Sequence, residues 1–180
     1  MLEKEKLVRS ETIFEGRIIR VKVDTVTVAS GREHTRELVE HPGGVAVVAL
    51  TDTNEVLFVR QYRRPFDEIL LELPAGKLEW GEESRSCGVR ELTEETGATA
   101  DSFVDLGECY LSPGFCNEVI HLYLARGLHM GKANPDEDEF LELYQYPLEK
   151  ALGMVASGEI RDAKTVIGLY RAQAYLKENS

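Results

Sequence analysis

The amino-acid sequence predicts an α+β fold, a mixed α/β chain in which strands far outnumber helices. Three observations predict it. Apolar and polar residues alternate with period two through "RIIRVKVDTVTV" (17–28), a segment rich in β-branched side chains. Two apolar runs, "GVAVVAL" and "EVLFVRQY", flank the turn-forming "TDTN". Helical patterns are confined to one segment after "EWGEE" and to two that close the chain, at 148–158 and 163–179.

The elements follow in order. The alternating 17–28 segment ends at "ASGRE", and "HTRELVEH" (34–41) returns as its hairpin partner. "HPGG" (41–44) is the best internal boundary. It separates an N-terminal region of two or three antiparallel strands (1–42) from a domain spanning 43–180. "GVAVVAL" and "EVLFVRQY" are expected to pair as a buried hairpin. "EILLELPAG" adds a strand stopped by Pro74 and Gly76. The first helix ends at Gly97, a residue suited to a left-handed stop. Strands are expected near 103–110, 119–126 and 140–146.

Composition narrows the function classes. Apolar residues make up 43% and charged residues 29%, as in an ordinary globular domain, and 180 residues suffice for a substantial core. The longest apolar run, "VAVVAL" (45–50), is far too short to span a bilayer. The opening "MLEKEKLVRS" has no apolar signal region, so a cytoplasmic location is expected. Cys87, Cys109 and Cys116 have no CxxC spacing and read as reduced thiols. A formal charge of −11 would repel a phosphate backbone, which argues against polymeric nucleic acid as a partner. It leaves room for a small phosphorylated substrate brought in by cations or local arginines.

The densest charge lies in "VRELTEETG" (89–97). At about 100° per residue, Glu91, Glu94 and Glu95 share an arc of about 100° on one helix face. Val89, Leu92 and Thr96 form a largely apolar stripe beside it. Glu91 and Glu95 are i,i+4 neighbours, and half-buried like charges at that spacing repel by roughly 3–4 kcal/mol at an effective dielectric near 20. A divalent cation reverses the sign of that interaction. On the helix alone, a solvated face laced by Arg90 and Glu94 accounts for the acids equally well. The flanks favour the metal. Gly76 and Gly81 bracket a loop, Glu82 stands at the helix entrance, and Cys87 and Gly88 permit close approach one turn before Glu91.

Gly76, Glu82, Arg90, Glu91, Leu92, Glu94, Glu95 and Gly97 match the Nudix box, G-x5-E-x7-R-E-U-x-E-E-x-G-U, where U is aliphatic; only Ala98 departs, being smaller than usual. The chain therefore resembles the Nudix hydrolases. The resemblance implies a Nudix-type α/β/α sandwich with an additional N-terminal antiparallel strand region. It implies Glu91 and Glu95 as principal ligands of Mg²⁺ (Mn²⁺ as substitute), supported by Glu94, the Ala75 carbonyl and Glu82, with Arg90 orienting a glutamate.

"QYR" (61–63), "ELPAG" (72–76), "SPGF" (112–115), with Pro113 sixteen residues after Gly97, and "DEDEF" (136–140) resemble the ADP-ribose pyrophosphatase branch. That branch implies hydrolysis of ADP-ribose to AMP and ribose 5-phosphate by a metal-activated water. Glu139 becomes the expected general base, with Glu137 its alternative, and Glu94 and Arg90 join it as catalytic residues. Arg63, Arg36, Gly114 and Ile18 become the expected substrate-binding residues, Arg36 acting across a homodimer with exchanged N-terminal strands. A solvated acidic loop around Glu139 and strand-edge charges at Arg63 and Arg36 are the plain alternatives. Related enzymes act on GDP-mannose, and a non-catalytic ADP-ribose sensor is a further reading. The intact Glu91, Glu94 and Glu95 argue against the sensor.

Overall fold

The computed structural model describes residues 3–134 and 140–179. The chain divides into two compact units, 1–43 with 110–119, and 44–109 with 120–180.

The first unit holds a three-stranded antiparallel sheet of β1 (Lys6–Glu15), β2 (Arg20–Thr27) and β3 (Glu33–Glu40), in that order. β2 and β3 form the expected hairpin, closed where Gly31 takes a φ of 80° and donates to the Val28 carbonyl at 2.8 Å. β1 is exposed along its whole length and lacks the alternation that marks its neighbour, so the pattern did not single it out. Residues 110–119 join this unit through Val39: its amide donates to the Phe115 carbonyl at 2.7 Å, and its carbonyl accepts from Asn117 at 3.1 Å.

The second unit is built around β4 (Gly44–Ala49), whose six residues are all buried. A continuous apolar run is what a strand covered on both faces requires. β4 lies parallel to β9 (Val119–Met130) and antiparallel to β7 (Ala75–Lys77), within the order β7-β4-β9-β8, where β8 is Ala98–Tyr110. A separate antiparallel sheet runs β10-β5-β6, from Glu142–Pro147, Glu55–Arg63 and Glu68–Glu72.

Among the described residues, three helices complete the unit: α1 (Ser84–Thr96), α2 (Leu148–Ser157) and α3 (Ala163–Glu178). Successive residues of β4 point to opposite faces, and each face receives a helix at a glycine. A Cβ on Gly88 of α1 would stand 3.0 Å from Val45 Cγ2; one on Gly168 of α3 would stand 3.3 Å from Val48 Cγ2. These close approaches give helix, sheet and helix as layers, the expected α/β/α sandwich. On the α1 side the core gathers Val45, Val47, Leu57, Leu92, Ala98 and Tyr123.

Two local expectations are corrected. β4 and β5 do not form a hairpin ladder. A single bridge, Leu50 to Val56, joins them before they part into different sheets. Apolar runs of this length look the same whether two buried strands pair or separate. "EILLELPAG" likewise yields two strands. Pro74, lacking an N–H, lies in the gap where the chain leaves β6 and enters β7 in the other sheet. The helix limits hold: Glu83 caps α1 by accepting from Arg85 and Ser86 amides at 2.9 and 2.7 Å, and Gly97 closes it at φ 73°. Among the described residues, no helix is long and apolar enough to cross a membrane.

Candidate active site

The site begins where α1 lies against β7. Gly88 brings the helix onto β4, and Ser84 Oγ shares a 2.7 Å hydrogen bond with Tyr123 OH at its first turn. The buried side of α1 comprises Cys87, Gly88, Glu91, Leu92, Glu95 and Thr96. Val89 is exposed, contrary to the predicted stripe: the buried arc of α1 runs from Cys87, Glu91 and Glu95 to Leu92 and Thr96 and stops short of it. Glu91 and Glu95 are therefore buried acids, 9% and 5% exposed, not rim charges.

Both acids meet the start of β7. Glu95 Oε2 accepts the Ala75 amide at 2.9 Å. Glu91 fills the space beside Gly76, where a Cβ would lie 1.9 Å from its Cδ and Oε1. Only glycine leaves room for that carboxylate. The placement unites Ala75, Gly76, Glu91 and Glu95, residues separated by a loop in sequence.

Arg90 supplies the countercharge. Its Nη1 donates to Glu91 Oε1 and Glu94 Oε2, each at 2.9 Å, and its Nη2 approaches Glu82 Oε1 and Cys87 Sγ at 3.4 Å. Burial would lower the affinity of Arg90 for its proton, but Glu91 and Glu94 outweigh it and raise the pKa. Glu82 is held below the usual carboxylate range, first by the Glu79 amide, which donates to it at 2.9 Å, and then by Arg90. Burial, reinforced by Glu82 and Glu91, pushes the Cys87 thiol up to about 12, so it stays protonated and inert.

The far end of α1 anchors another segment. Gly131 N–H donates to the Gly97 carbonyl and Asn134 N–H to the Glu94 carbonyl, both at 2.8 Å. A side chain on Gly97 would collide with this crossing segment, at 2.7 Å from Gly131 O and Ala133 N. The chain is thus fixed to the acidic helix just before "PDEDE". Glu139, the expected base, and Glu137 lie outside the described residues.

Arg63 makes a bidentate pair with Glu72, Nε and Nη2 each donating at 2.7 Å. Glu72 is 1% exposed and also binds Lys164 Nζ. Burial pushes Glu72 up, but Arg63 and Lys164 outweigh it and hold the carboxyl below its ordinary range. The pairing with Glu72 raises the pKa of Arg63 against the effect of its own burial. The sequence reading missed Glu72 and Lys164; the one available signal was an acid inside the apolar "ILLEL".

The remaining expected residues belong to the first unit. Arg36 pairs with Glu5, its Nε donating at 3.1 Å. Ile18 is 45% exposed. Gly114 faces open space, beside a cleft of about 500 Å³ lined by Val39, Tyr110, Pro113 and Phe115.

Among the described residues, no three His, Cys, Asp or Glu side chains stand as a ready-made metal cluster. Glu91 and Glu94 are drawn to Arg90, and Glu95 to Ala75. The donors nevertheless suit a hard divalent cation: all are oxygens, two are buried i,i+4 carboxylates, and three acids surround one guanidinium.

Sandwich and carboxylate helix together present an oxygen-rich site suited to a divalent cation. A NUDIX domain profile matches residues 40–167. The chain is 44% identical over 174 residues to the methanol dehydrogenase activator of Bacillus methanolicus, covering 96% of this chain and 94% of the relative. It is 44% identical over 177 residues to an ADP-ribose pyrophosphatase of Bacillus subtilis (strain 168), covering 97% and 95%. A crystal structure of an ADP compounds hydrolase superposes with a TM-score of 0.88 over 100% of this chain and 98% of that one; at 22% identity it speaks to the fold. The protein belongs to the Nudix family. Nudix hydrolases generally need a divalent metal ion.

Proposed function

We propose that this protein hydrolyses the pyrophosphate bond of ADP-ribose to AMP and ribose 5-phosphate in the presence of Mg²⁺. The observation that carries the reading is the burial of Glu91 and Glu95 against Ala75 and Gly76. Similarity to the ADP-ribose pyrophosphatase supports the choice of substrate.

Glu91 and Glu95 hold Mg²⁺, with Glu94, Glu82 and the Ala75 carbonyl assisting; Mn²⁺ substitutes. When bound there, the ion would neutralise pyrophosphate charge and lower the pKa of a water. Arg90 keeps Glu91 and Glu94 at fixed separation. Glu139 takes the proton of the attacking water as general base, with Glu137 as its alternative. The described bonds of Arg63 use Nε and Nη2, so Nη1 is the nitrogen we assign to a substrate phosphate. Arg36, Ile18 and Gly114 are proposed as substrate-binding residues of the first unit. We further propose a cytoplasmic homodimer, with the strand region 1–42 as its dimerisation element and 43–180 as the catalytic domain.

A substrate panel with Mg²⁺, scored by kcat/KM, tests the reading. ADP-ribose should lead; preference for GDP-mannose would overturn the substrate, and binding without turnover would make the protein a sensor. A second reading rests on the 44% identity with the methanol dehydrogenase activator. Adding the protein to a methanol dehydrogenase assay tests it, a rise in rate supporting activation and an unchanged rate contradicting it.

A further inference from the structure

Residues 72–76 carry the site's strand wall, and α3 holds them from behind. Asp162 caps that helix, its Oδ2 accepting from the Thr165 amide at 3.1 Å and from Thr165 Oγ1 at 2.5 Å. With its proton directed at Asp162, the Thr165 hydroxyl presents lone pairs, and it accepts the Leu73 amide at 2.9 Å. Thr165 is fully buried, so water has no access to that bond.

Lys164 works beside it. Its Nζ reaches Glu72 and lies 3.0 Å from Asp162 Oδ2. The Leu73 side chain sits where Gly168 leaves space, 2.7 Å from the position a Cβ would take. Pro74 then accepts from the Val47 amide at 2.9 Å. The next residue, Ala75, donates to Glu95, and Gly76 faces Glu91. A shift of Leu73 would pass along this short, tethered backbone to both buried carboxylates.

We propose that Asp162, Lys164 and Thr165 are positioning residues of the site: the first turn of α3 fixes the Leu73–Gly76 backbone and, through it, the Ala75 carbonyl and the carboxylates of Glu91 and Glu95. This rests on the metal assignment made under Proposed function. Partners bonded directly to metal ligands typically change metal affinity by about 10–100-fold when removed, and Thr165, acting through the backbone from Leu73 to Ala75, is expected at the lower end of that range.

The test is Mn²⁺ binding to the full chain, read by electron paramagnetic resonance, with thermal unfolding recorded alongside. Thr165→Val keeps the shape and removes the acceptor for Leu73. It should weaken Mn²⁺ binding about tenfold, and Thr165→Ser, which keeps the hydroxyl, should restore it. A folded Thr165→Val protein whose affinity stays within about threefold of the parent overturns the proposal, as does a Thr165→Ser protein no better than Thr165→Val. Should Thr165→Val fail to fold, Lys164→Met carries the same threshold, since it strips Glu72 of a partner and leaves the Leu73 bond in place. Glu95→Gln separates the two claims. If it leaves Mn²⁺ binding unchanged, the metal assignment fails and this inference falls with it. If it abolishes binding while Thr165→Val does not weaken it, only the inference fails.

Discussion

The carboxyl group of Glu91 occupies the space in which a side chain at Gly76 would begin, with 1.9 Å separating its Cδ from the position of a Cβ. One residue of β7 and one of α1 thus fit only because the first has no side chain. Gly76→Ala should drive Glu91 out of place. We expect kcat/KM to fall at least about 100-fold, and stability to fall by about 1–3 kcal/mol from the overpacking. Steady-state kinetics and chemical unfolding check this, and Gly153→Ala in α2 serves as a control, because a Cβ there meets nothing within 4 Å and its φ is not in the left-handed region.

Arg90 binds three acids through two nitrogens, and that geometry needs a planar fork. Arg90→Lys keeps the charge and loses the simultaneous contacts. The expected outcome is a drop in kcat of about tenfold with the fold intact. Circular dichroism and Mg²⁺ titration of activity distinguish this from unfolding.

Acid stability should depend on Glu72. Its folded carboxyl ionises more readily than an unfolded one, because Arg63 and Lys164 overcome the effect of burial. Its contribution is therefore present above the ordinary carboxylate pKa, about 4.3, and is lost as pH falls through the lower folded value. Thermal unfolding from pH 7 to pH 3 should show a steep acid limb. Glu72→Gln should start from a lower stability near neutral pH and descend less steeply.

Gly97 combines a left-handed backbone with the crossing of residues 131–134. Gly97→Ala should cost about 1–2 kcal/mol for the backbone alone. Displacement of the segment leading to Glu139 should lower kcat further. Hydrogen exchange at the Gly131 and Asn134 amides would report that displacement directly.

Much of the fold was legible where one force dominated. The α1 limits followed from the end of "EWGEE", from Gly97 and from the acidic pattern, and the β2–β3 hairpin followed from strict alternation. The sandwich depended on a fact that periodicity does not carry: β4 is covered on both faces, so its run of apolar residues gave no hint of which strand it pairs with. The gathering of Glu91, Glu94 and Glu95 on one helix face was readable from helical spacing, but the burial of Glu91 and Glu95 was not, since it comes from Gly76 and Gly88 meeting neighbours distant in sequence. Lys164 and Thr165 were invisible for the same reason, and Glu72 showed only as an acid inside an apolar run: the packing of α3 on Leu73 brings the three together.

The central claim is that Glu91 and Glu95 hold a divalent cation for ADP-ribose hydrolysis, and product formation by Glu95→Gln tests it most directly. The parent with Mg²⁺ should release AMP and ribose 5-phosphate, and a folded Glu95→Gln protein should be slower by at least about 100-fold, a loss of about 2.7 kcal/mol of transition-state stabilisation. A Glu95→Gln protein that turns over ADP-ribose at the parent's rate, with the same Mg²⁺ dependence, would contradict the account.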